Sequence, residues 1–203
     1  YMSVYKTDGT VDKLELKNKY LKNYVVGAEF DPDTIQYIKV GMPAEILKNK
    51  VVLVDTPGVD DLNQQRVDVT YKFIPRADAV LFLLDATSPL RRTEKEFIED
   101  NLLNNGIEKI IFIANFFDQI DEEEVEDAIE DISNRLQNAL GGRDIQLFGI
   151  SARQALDARI NGDSMLLEQS GFLKVEGSIT KLIESGSQTE EKFNRYEKRL
   201  MMI

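Results

Sequence analysis

A carboxylate and a glycine three residues apart follow the apolar run VVLV, in the segment Asp55, Thr56, Pro57 and Gly58. A strand-end carboxylate can hold a Mg²⁺-bound water, and a glycine lets its N–H approach a terminal phosphate without a side chain in the way. Aspartate and glycine are also common turn residues, so D-x-x-G alone fits an ordinary tight turn equally well.

A second polar pair, Asn115 and Asp118 in ANFFDQID, follows the apolar run KIIFIA. A carboxylate at position 118 could accept hydrogen bonds from both the ring N–H and the exocyclic amine of guanine. Adenine has no such pair of donors, so Asp118 would select the base. The alternative is that NFFD is a strand-to-helix loop in which Asp118 or Asp121 caps the next helix.

A third pair, Ser151 and Ala152, ends the run in GISARQ. Their small side chains would let a backbone N–H reach the guanine carbonyl oxygen, although a lone Ser-Ala pair means little. The order is more informative, because D-x-x-G, N-x-x-D and S-A match the G3, G4 and G5 motifs of GTPases. Each motif falls at the end of a predicted strand, which favours a nucleotide site over three unrelated turns.

The elements that must position these residues are read from hydrophobic periodicity. A hairpin is predicted around Asp8-Gly9, and a helix over 93–105 has Thr93 as its N-cap and Gly106 at its exit. Strands are predicted at 34–40, 51–55, 79–85, 109–115 and 144–151, and further helices at 66–74, 122–140 and 172–183. The helix over 122–140 places Val125, Ile129, Ile132, Leu136 and Leu140 on one face.

Continuous apolar strands separated by amphipathic helices indicate an α/β fold of the P-loop NTPase type. In such a fold a mostly parallel central sheet carries helices on both faces. Ligands bind at the carboxyl ends of the strands in these sheets. That rule selects Asp55, Asp85, Asn115 and Ser151, each of which closes an apolar run.

Composition excludes several kinds of site. The 203 residues contain no Cys and no His, which removes disulfides, thiol catalysis, Ser-His triads and His-ligated metals. The formal net charge of −11 argues against nucleic acid as a partner and against docking of the whole surface on anionic lipid. With no signal peptide and no apolar run long enough to span a bilayer, we expect a cytoplasmic location.

Two longer blocks resemble the GTPase domain of the dynamin superfamily, especially bacterial dynamin-like proteins. GMPAEILKNKVVLVDTPGVDD resembles the family's Pro-containing hairpin leading into LVDTPG, and IPRADAVLFLLDATSPLRRTEKEFI resembles its next block. The similarity spans roughly residues 35–185. It implies a GTPase domain over 1–185, and a helical connector towards a bundle or stalk over 186–203.

The resemblance also implies residue roles. Asp55 would hold Mg²⁺ through water and Gly58 would donate its N–H to the γ-phosphate of GTP. Asn115 would brace the nucleotide loops, Asp118 would read the base, and Ser151 with Ala152 would complete the guanine pocket. It further implies membrane remodelling through regions outside this domain, peripheral membrane association, and a GTPase-domain dimer or oligomer.

Three departures from the pattern stand out. No G-x-x-x-x-G-K-S/T occurs, because none of the 12 glycines is followed by Lys. We expect the phosphate loop to lie upstream in a longer protein, so that this fragment alone is inactive. Phe116 replaces the Lys whose stem covers the purine face, and it either covers that face or packs inward. Val59 stands where Ras-type enzymes carry a water-orienting Gln. Dynamins also lack that Gln, so this departure fits the family.

Two alternatives remain open at this point. The first is a degenerate GTPase fold that serves as a binding module without turnover, for which the missing loop and Phe116 are the arguments. The second is an Era-like GTPase that acts on RNA, against which the acidic charge and the dynamin-like blocks argue.

Overall fold

The structure, a computed structural model, describes residues 1–17, 34–56, 58, 73–107 and 109–186. The chain divides into two compact units, one formed by Tyr1–Pro57 with Asn63–Val69 and the other by Gly58–Leu62 with Thr70–Ile203. The predicted helix over 66–74 lies almost wholly outside the described residues.

The first unit contains a three-stranded antiparallel sheet in the order β2-β1-β3. Its strands are β1 (Met2–Lys6), β2 (Val11–Leu14) and β3 (Ile35–Val40). Gly9 has a φ of 86°, and Asp8 Oδ1 accepts a hydrogen bond of 2.8 Å from the Thr10 N–H, which closes the turn. The structure confirms the predicted Asp8-Gly9 hairpin and the strand predicted at 34–40.

The buried strand predicted at 51–55 is wrong. Val51–Thr56 follows the 3₁₀-helix Glu45–Lys50 and belongs to no strand in the described part of the chain. Val52, Leu53 and Val54 are 75%, 54% and 49% exposed. A run of β-branched residues fits a pleated sheet, but it becomes a strand only where a neighbouring strand bonds its backbone. No strand in the described ranges pairs with this run.

The second unit is built on a parallel sheet, as predicted, and its strand order is β4-β5-β6. Its strands are β4 (Val80–Asp85), β5 (Ile110–Asn115) and β6 (Gln146–Gly149). The central strand β5 is the most buried. The prediction that β4 is buried on both faces is wrong, because the Leu83 side chain is 62% exposed. Among the described strands β4 has a partner on one side only, so its outer residues are covered less completely.

The second unit contains five α-helices among the described residues. They are α1 (Arg92–Phe97), which continues as a π-helix over Ile98–Leu103, α2 (Val125–Ala139), α3 (Ala152–Asn161), α4 (Ser164–Gln169) and α5 (Phe172–Gly186). Short 3₁₀ turns lie at Ile74–Arg76, Phe117–Gln119 and Glu122–Glu124. None of these helices has the length and apolar content needed to cross a membrane.

Two hydrophobic clusters lie on opposite faces of the parallel sheet. On one face, Phe82 and Phe112 pack with Phe97 of α1 and Leu136 of α2. On the other face, the alternate residues Ile111 and Ile113 of β5 pack with Val175 of α5. Because successive strand residues point to opposite faces, β5 contributes to both clusters. The predicted arrangement of helices on both faces of the sheet is confirmed.

Two details of the predicted helices differ. Arg91, not Thr93, occupies the N-cap of α1, and the buried Glu94 carboxylate accepts a 2.7 Å hydrogen bond from the Arg91 N–H. A glutamate at the third helical position can satisfy this donor, so the helix starts before the threonine. Gly106 has a φ of 71°, as the predicted helix exit requires. In α2, Ile129 is 38% exposed although the periodicity placed it on the packed face.

Leu136→Ala should lower the free energy of unfolding by about 3 kcal/mol, because it leaves a cavity beside Phe112 and Ile132. The matched control Ile129→Ala, on the same helix, should cost less than about 1 kcal/mol because that side chain already meets solvent. Urea unfolding followed by circular dichroism measures both. Equal losses would show that the N-terminal half of α2 is packed as tightly as its C-terminal half.

Candidate functional site

The carboxyl ends of the parallel strands bring polar residues to one edge of the sheet in the second unit. Asp85 at the end of β4 is in register with Asn115 at the end of β5. Ala114 is in register with Gly149, so Ser151 follows two residues beyond the end of β6. These positions are where a ligand of a parallel α/β sheet binds.

Asn115 joins two loops at this edge. Its side-chain Oδ1 accepts a hydrogen bond of 3.0 Å from the backbone N–H of Ala152, which is the first residue of α3. Next to this bond, the Phe117 N–H donates to the carbonyl of Ile150 at 3.1 Å. The loop after β5 and the start of α3 are therefore held together by one side chain and one backbone contact.

Ser151 is the N-cap of α3 and is only 2% exposed. Its Oγ accepts a 3.2 Å hydrogen bond from the Gln154 N–H, and its own N–H donates to the carbonyl of Ser170 at 2.9 Å. The hydroxyl therefore satisfies one of the free donors of the first helical turn. The Ser151 hydroxyl therefore fixes the backbone at the start of α3 and is not free.

Asp118 lies in the 3₁₀ turn Phe117–Gln119 and its side chain is exposed. Of the two residues considered as caps of the following helix, Asp121 occupies the N-cap position of the 3₁₀ turn that leads into α2, and Asp118 does not. Glu124 occupies the N-cap of α2 without a side-chain cap bond, and Asp121 makes none at the 3₁₀ turn it precedes. The carboxylate of Asp118 therefore lies at the surface three residues after Asn115 without a capping role.

The residues of the D-x-x-G motif are divided between the two units. Asp55 and Thr56 belong to the first unit and are exposed. Gly58 belongs to the second unit, and a Cβ added to it would meet no atom within 4 Å. Pro57 lies outside the described residues. Among the residues that the structure describes, no cluster of three or more Asp, Glu, His or Cys side chains could hold a metal ion.

Asp85, which the strand-end rule selected, closes the turn that follows β4. Its Oδ1 accepts hydrogen bonds from the Thr87 hydroxyl at 2.7 Å and the Thr87 N–H at 2.9 Å. Its Oδ2 lies 3.7 Å from Nη2 of Arg91. The Thr87 hydroxyl, and then the Thr87 N–H and the Arg91 guanidinium, hold the pKa of Asp85 below its usual value although burial opposes the shift. The Asp85 carboxylate therefore stabilises the turn that follows β4.

Sequence reasoning did not locate α3 and α4, the two helices between Ser151 and Phe172. Their start signals were present, because Ser151 and Asp163 are both N-cap residue types and both accept a backbone hydrogen bond in the structure. Arg159 of α3 then pairs with Glu176 of α5 through two contacts, the longer of them 2.6 Å. This ion pair links α3, which begins beside Asn115, to α5, which packs on the sheet face of Ile111 and Ile113.

Comparisons with known proteins agree with this arrangement. The sequence model described as the dynamin family matches residues 10–117. Dynamin-like protein 1 of Campylobacter jejuni is 26% identical over 89% of this chain and 26% of its own length. The probable transmembrane GTPase FZO-like, chloroplastic, of Arabidopsis thaliana is 34% identical over 62% of this chain and 14% of its own length.

A solved structure shows the same fold over nearly the whole chain. It is an oligomerised bacterial dynamin pair, described as providing a mechanism for the long-range sensing and tethering of membranes. It superposes with a TM-score of 0.64 at 26% identity, and it covers 93% of this chain and 27% of the matched chain. The chain thus spans about a quarter of that matched chain, and similarly small parts of the curated relatives.

Asn115→Ala should lower the free energy of unfolding by about 1–2 kcal/mol, because it leaves the half-buried Ala152 N–H without its acceptor. Asn134→Ala, at an exposed position inside α2, is the matched control and should be neutral or slightly stabilising. Thermal unfolding of the two variants measures the difference. An unchanged midpoint for Asn115→Ala would show that the bond does not hold the two loops together.

The lowered pKa of Asp85 predicts an acid-dependent loss of stability. Because the pKa in the folded state lies below the unfolded value of about 3.8, the stabilisation is complete above that value. It is lost as the pH falls through the folded pKa. Asp85→Asn should therefore show a smaller loss of stability below about pH 4 than the wild type. Urea midpoints across the acid range measure this, and parallel curves would contradict it. Asp8, whose pKa is also lowered, is present in both proteins and cancels in the comparison.

Proposed function

The chain belongs to the dynamin family, and we propose that it forms the guanine-reading part of a GTPase that hydrolyses GTP to GDP and phosphate. The observation that carries the proposal is the 3.0 Å hydrogen bond from the Ala152 N–H to Asn115 Oδ1. It joins the N-x-x-D and S-A motifs at the carboxyl edge of a parallel sheet, beside the exposed Asp118. If N-x-x-D and S-A were unrelated turns, there would be no reason for a hydrogen bond between them.

In this proposal Asp118 accepts hydrogen bonds from the ring N–H and the exocyclic amine of guanine. Asn115 braces the loops, and Ser151 holds the backbone of Ala152 so that this end of α3 lines the guanine pocket. The exposure of Asp118 supports its role, because a carboxylate engaged in capping would have fewer acceptor positions for a base.

The segment Asp55, Thr56, Pro57 and Gly58 is proposed to contact the terminal phosphate and its Mg²⁺. Magnesium prefers carboxylate oxygens and retains several waters, so one exposed carboxylate such as Asp55 is a suitable partner through water. The ion would neutralise charge on the phosphates of the substrate. A glycine at position 58 would allow a close approach of phosphate to its N–H, because it has no side chain.

We further propose that residues 1–185 form the GTPase domain and 186–203 lead to a helical region. By analogy with relatives described as a transmembrane GTPase and as an oligomerised membrane-tethering pair, the whole protein would associate with a membrane and assemble through its GTPase domains. The family match favours this over an Era-like activity on RNA. A binding module without turnover is the second candidate, because Phe116 stands where GTPases of this type carry Lys.

Asp118→Ala should weaken GDP binding to the full-length protein at least tenfold and remove its preference for GDP over IDP. Inosine lacks the exocyclic amine, so a site that binds this amine through a carboxylate should discriminate against IDP by about tenfold or more. Isothermal titration with GDP and IDP measures the ratio, and the exposed, non-capping Asp121→Ala is the matched control. A preference for GDP that survives Asp118→Ala would rule out the assigned role.

Mg²⁺-dependent release of phosphate from GTP by the full-length protein separates the two candidate functions. The GTPase proposal predicts turnover that rises with protein concentration if the domains assemble. Tight GDP binding without any turnover would favour the binding module.

A further inference from the structure

Phe116 has an unusual backbone conformation for an aromatic residue. Its φ is 72° and its ψ is 27°, in the left-handed region that glycine, and to a lesser extent asparagine, adopts readily. It is one of two residues other than glycine with a positive φ in the described part of the chain. Strained residues of this kind persist only where the surrounding structure holds them, and they cluster at functional sites.

The surrounding hydrogen bonds hold Phe116 from both sides. The carbonyl of Asn115 accepts from the Ala86 N–H at 2.9 Å, and the Phe117 N–H donates to Ile150 at 3.1 Å. The carbonyl of Phe116 itself accepts from the Gln119 N–H at 2.9 Å. These bonds tie the loop to the segments that follow β4 and β6. The neighbouring segments at the sheet edge therefore fix its backbone conformation.

The two adjacent phenylalanines have opposite environments. The Phe117 ring packs on the core cluster and against Gly149, where an added Cβ would lie 2.8 Å from Phe117 Cε2. The Phe116 side chain is 40% exposed. No other aromatic side chain in the described part of the second unit is exposed. The sequence left open whether Phe116 packs inward; in the structure Phe117 does so and Phe116 does not.

We propose that Phe116 is the stacking platform for the purine base and sets the affinity of the site, while Asp118 sets its selectivity. This inference rests on the proposed function. A carboxylate reads a base only at its edge, so the face of the base still needs a partner that excludes water. An aromatic ring supplies that partner for any purine, because every base has a π-face. The ring contributes this contact without adding charge beside Asp118.

The division of labour predicts two different patterns of binding. A Phe116 variant that loses the ring should weaken GDP and IDP by the same factor, about tenfold or more. An Asp118 variant should change the ratio between GDP and IDP. A residue that acted only through loop packing would have no reason to leave the ratio intact while lowering both affinities.

The left-handed backbone provides a second, independent signature. Asparagine tolerates this conformation better than phenylalanine does, so Phe116→Asn should keep or raise the thermal midpoint. The same variant should lose affinity for both nucleotides, because its side chain cannot stack as a ring does. The combination of undiminished stability with weaker binding is the expected outcome for a strained residue retained for ligand contact.

The test uses the full-length protein with Phe116→Asn, Phe116→Leu and the conservative Phe116→Tyr. Leu156→Ala, at an exposed apolar position on α3, is the control and should bind like the wild type. Titration with GDP and IDP gives the affinities, and proton NMR of bound GDP reports ring currents on the guanine H8 resonance. We expect an upfield shift of H8 with wild type and Phe116→Tyr, and no such shift with Phe116→Leu.

The outcomes separate the two proposals. Wild-type protein that binds neither GDP nor GTP would overturn the proposed function and this inference with it. Wild-type binding that Phe116→Asn leaves unchanged would overturn the stacking role alone. A Phe116→Asn variant with a lowered thermal midpoint would show a packing role, and it too would overturn the inference.

Discussion

The hydrogen bond between Asn115 and the first N–H of α3 is the contact on which the site depends. An isolated helix N-terminus leaves its first N–H groups without partners, and they must find acceptors outside the helix. Here one acceptor comes from the N-cap Ser151, and the other comes from a side chain at the end of a different strand. This contact at the helix start therefore depends on the register of β5 and β6.

The central strand β5 is well buried because it lies between β4 and β6 and packs against a hydrophobic cluster on each face. Ile111 and Ile113 face one hydrophobic cluster while Phe112 and Ala114 face the other, so displacement of β5 would disturb both layers. The parallel register then sets the distance between Asn115 and the segment that follows β6. Tertiary packing thereby holds the polar groups of the loops at the sheet edge. The strained backbone of Phe116 follows from the same constraint, because the loop is anchored on both sides.

Prediction from sequence was accurate where the pattern was long and local. The parallel strands, the helix over 122–140 and the Asp8-Gly9 hairpin all formed as expected, since each depends on periodicity or on one turn type. It was wrong where the outcome depended on a neighbour. The run at Val51–Asp55 looked like a buried strand, but composition cannot tell whether another strand lies beside it. The start of α1 was misplaced because the Glu94 carboxylate accepts a hydrogen bond from the Arg91 N–H, which starts the helix before Thr93.

The sequence by itself determined the order of the candidate residues Asp55, Gly58, Asn115, Asp118, Ser151 and Ala152, and the apolar runs that place Asn115 and Ser151 at or just beyond the ends of β5 and β6. Only the tertiary structure decided how the last four are arranged. It bonded Asn115 to Ala152, engaged the Ser151 hydroxyl in a helix cap, and left Asp118 without a capping role. It also turned Phe117 into the core and Phe116 outward. The physical reason is that these choices depend on which hydrogen-bond acceptors and packing surfaces lie nearby in space. Two adjacent residues of the same type carry no such information in the sequence.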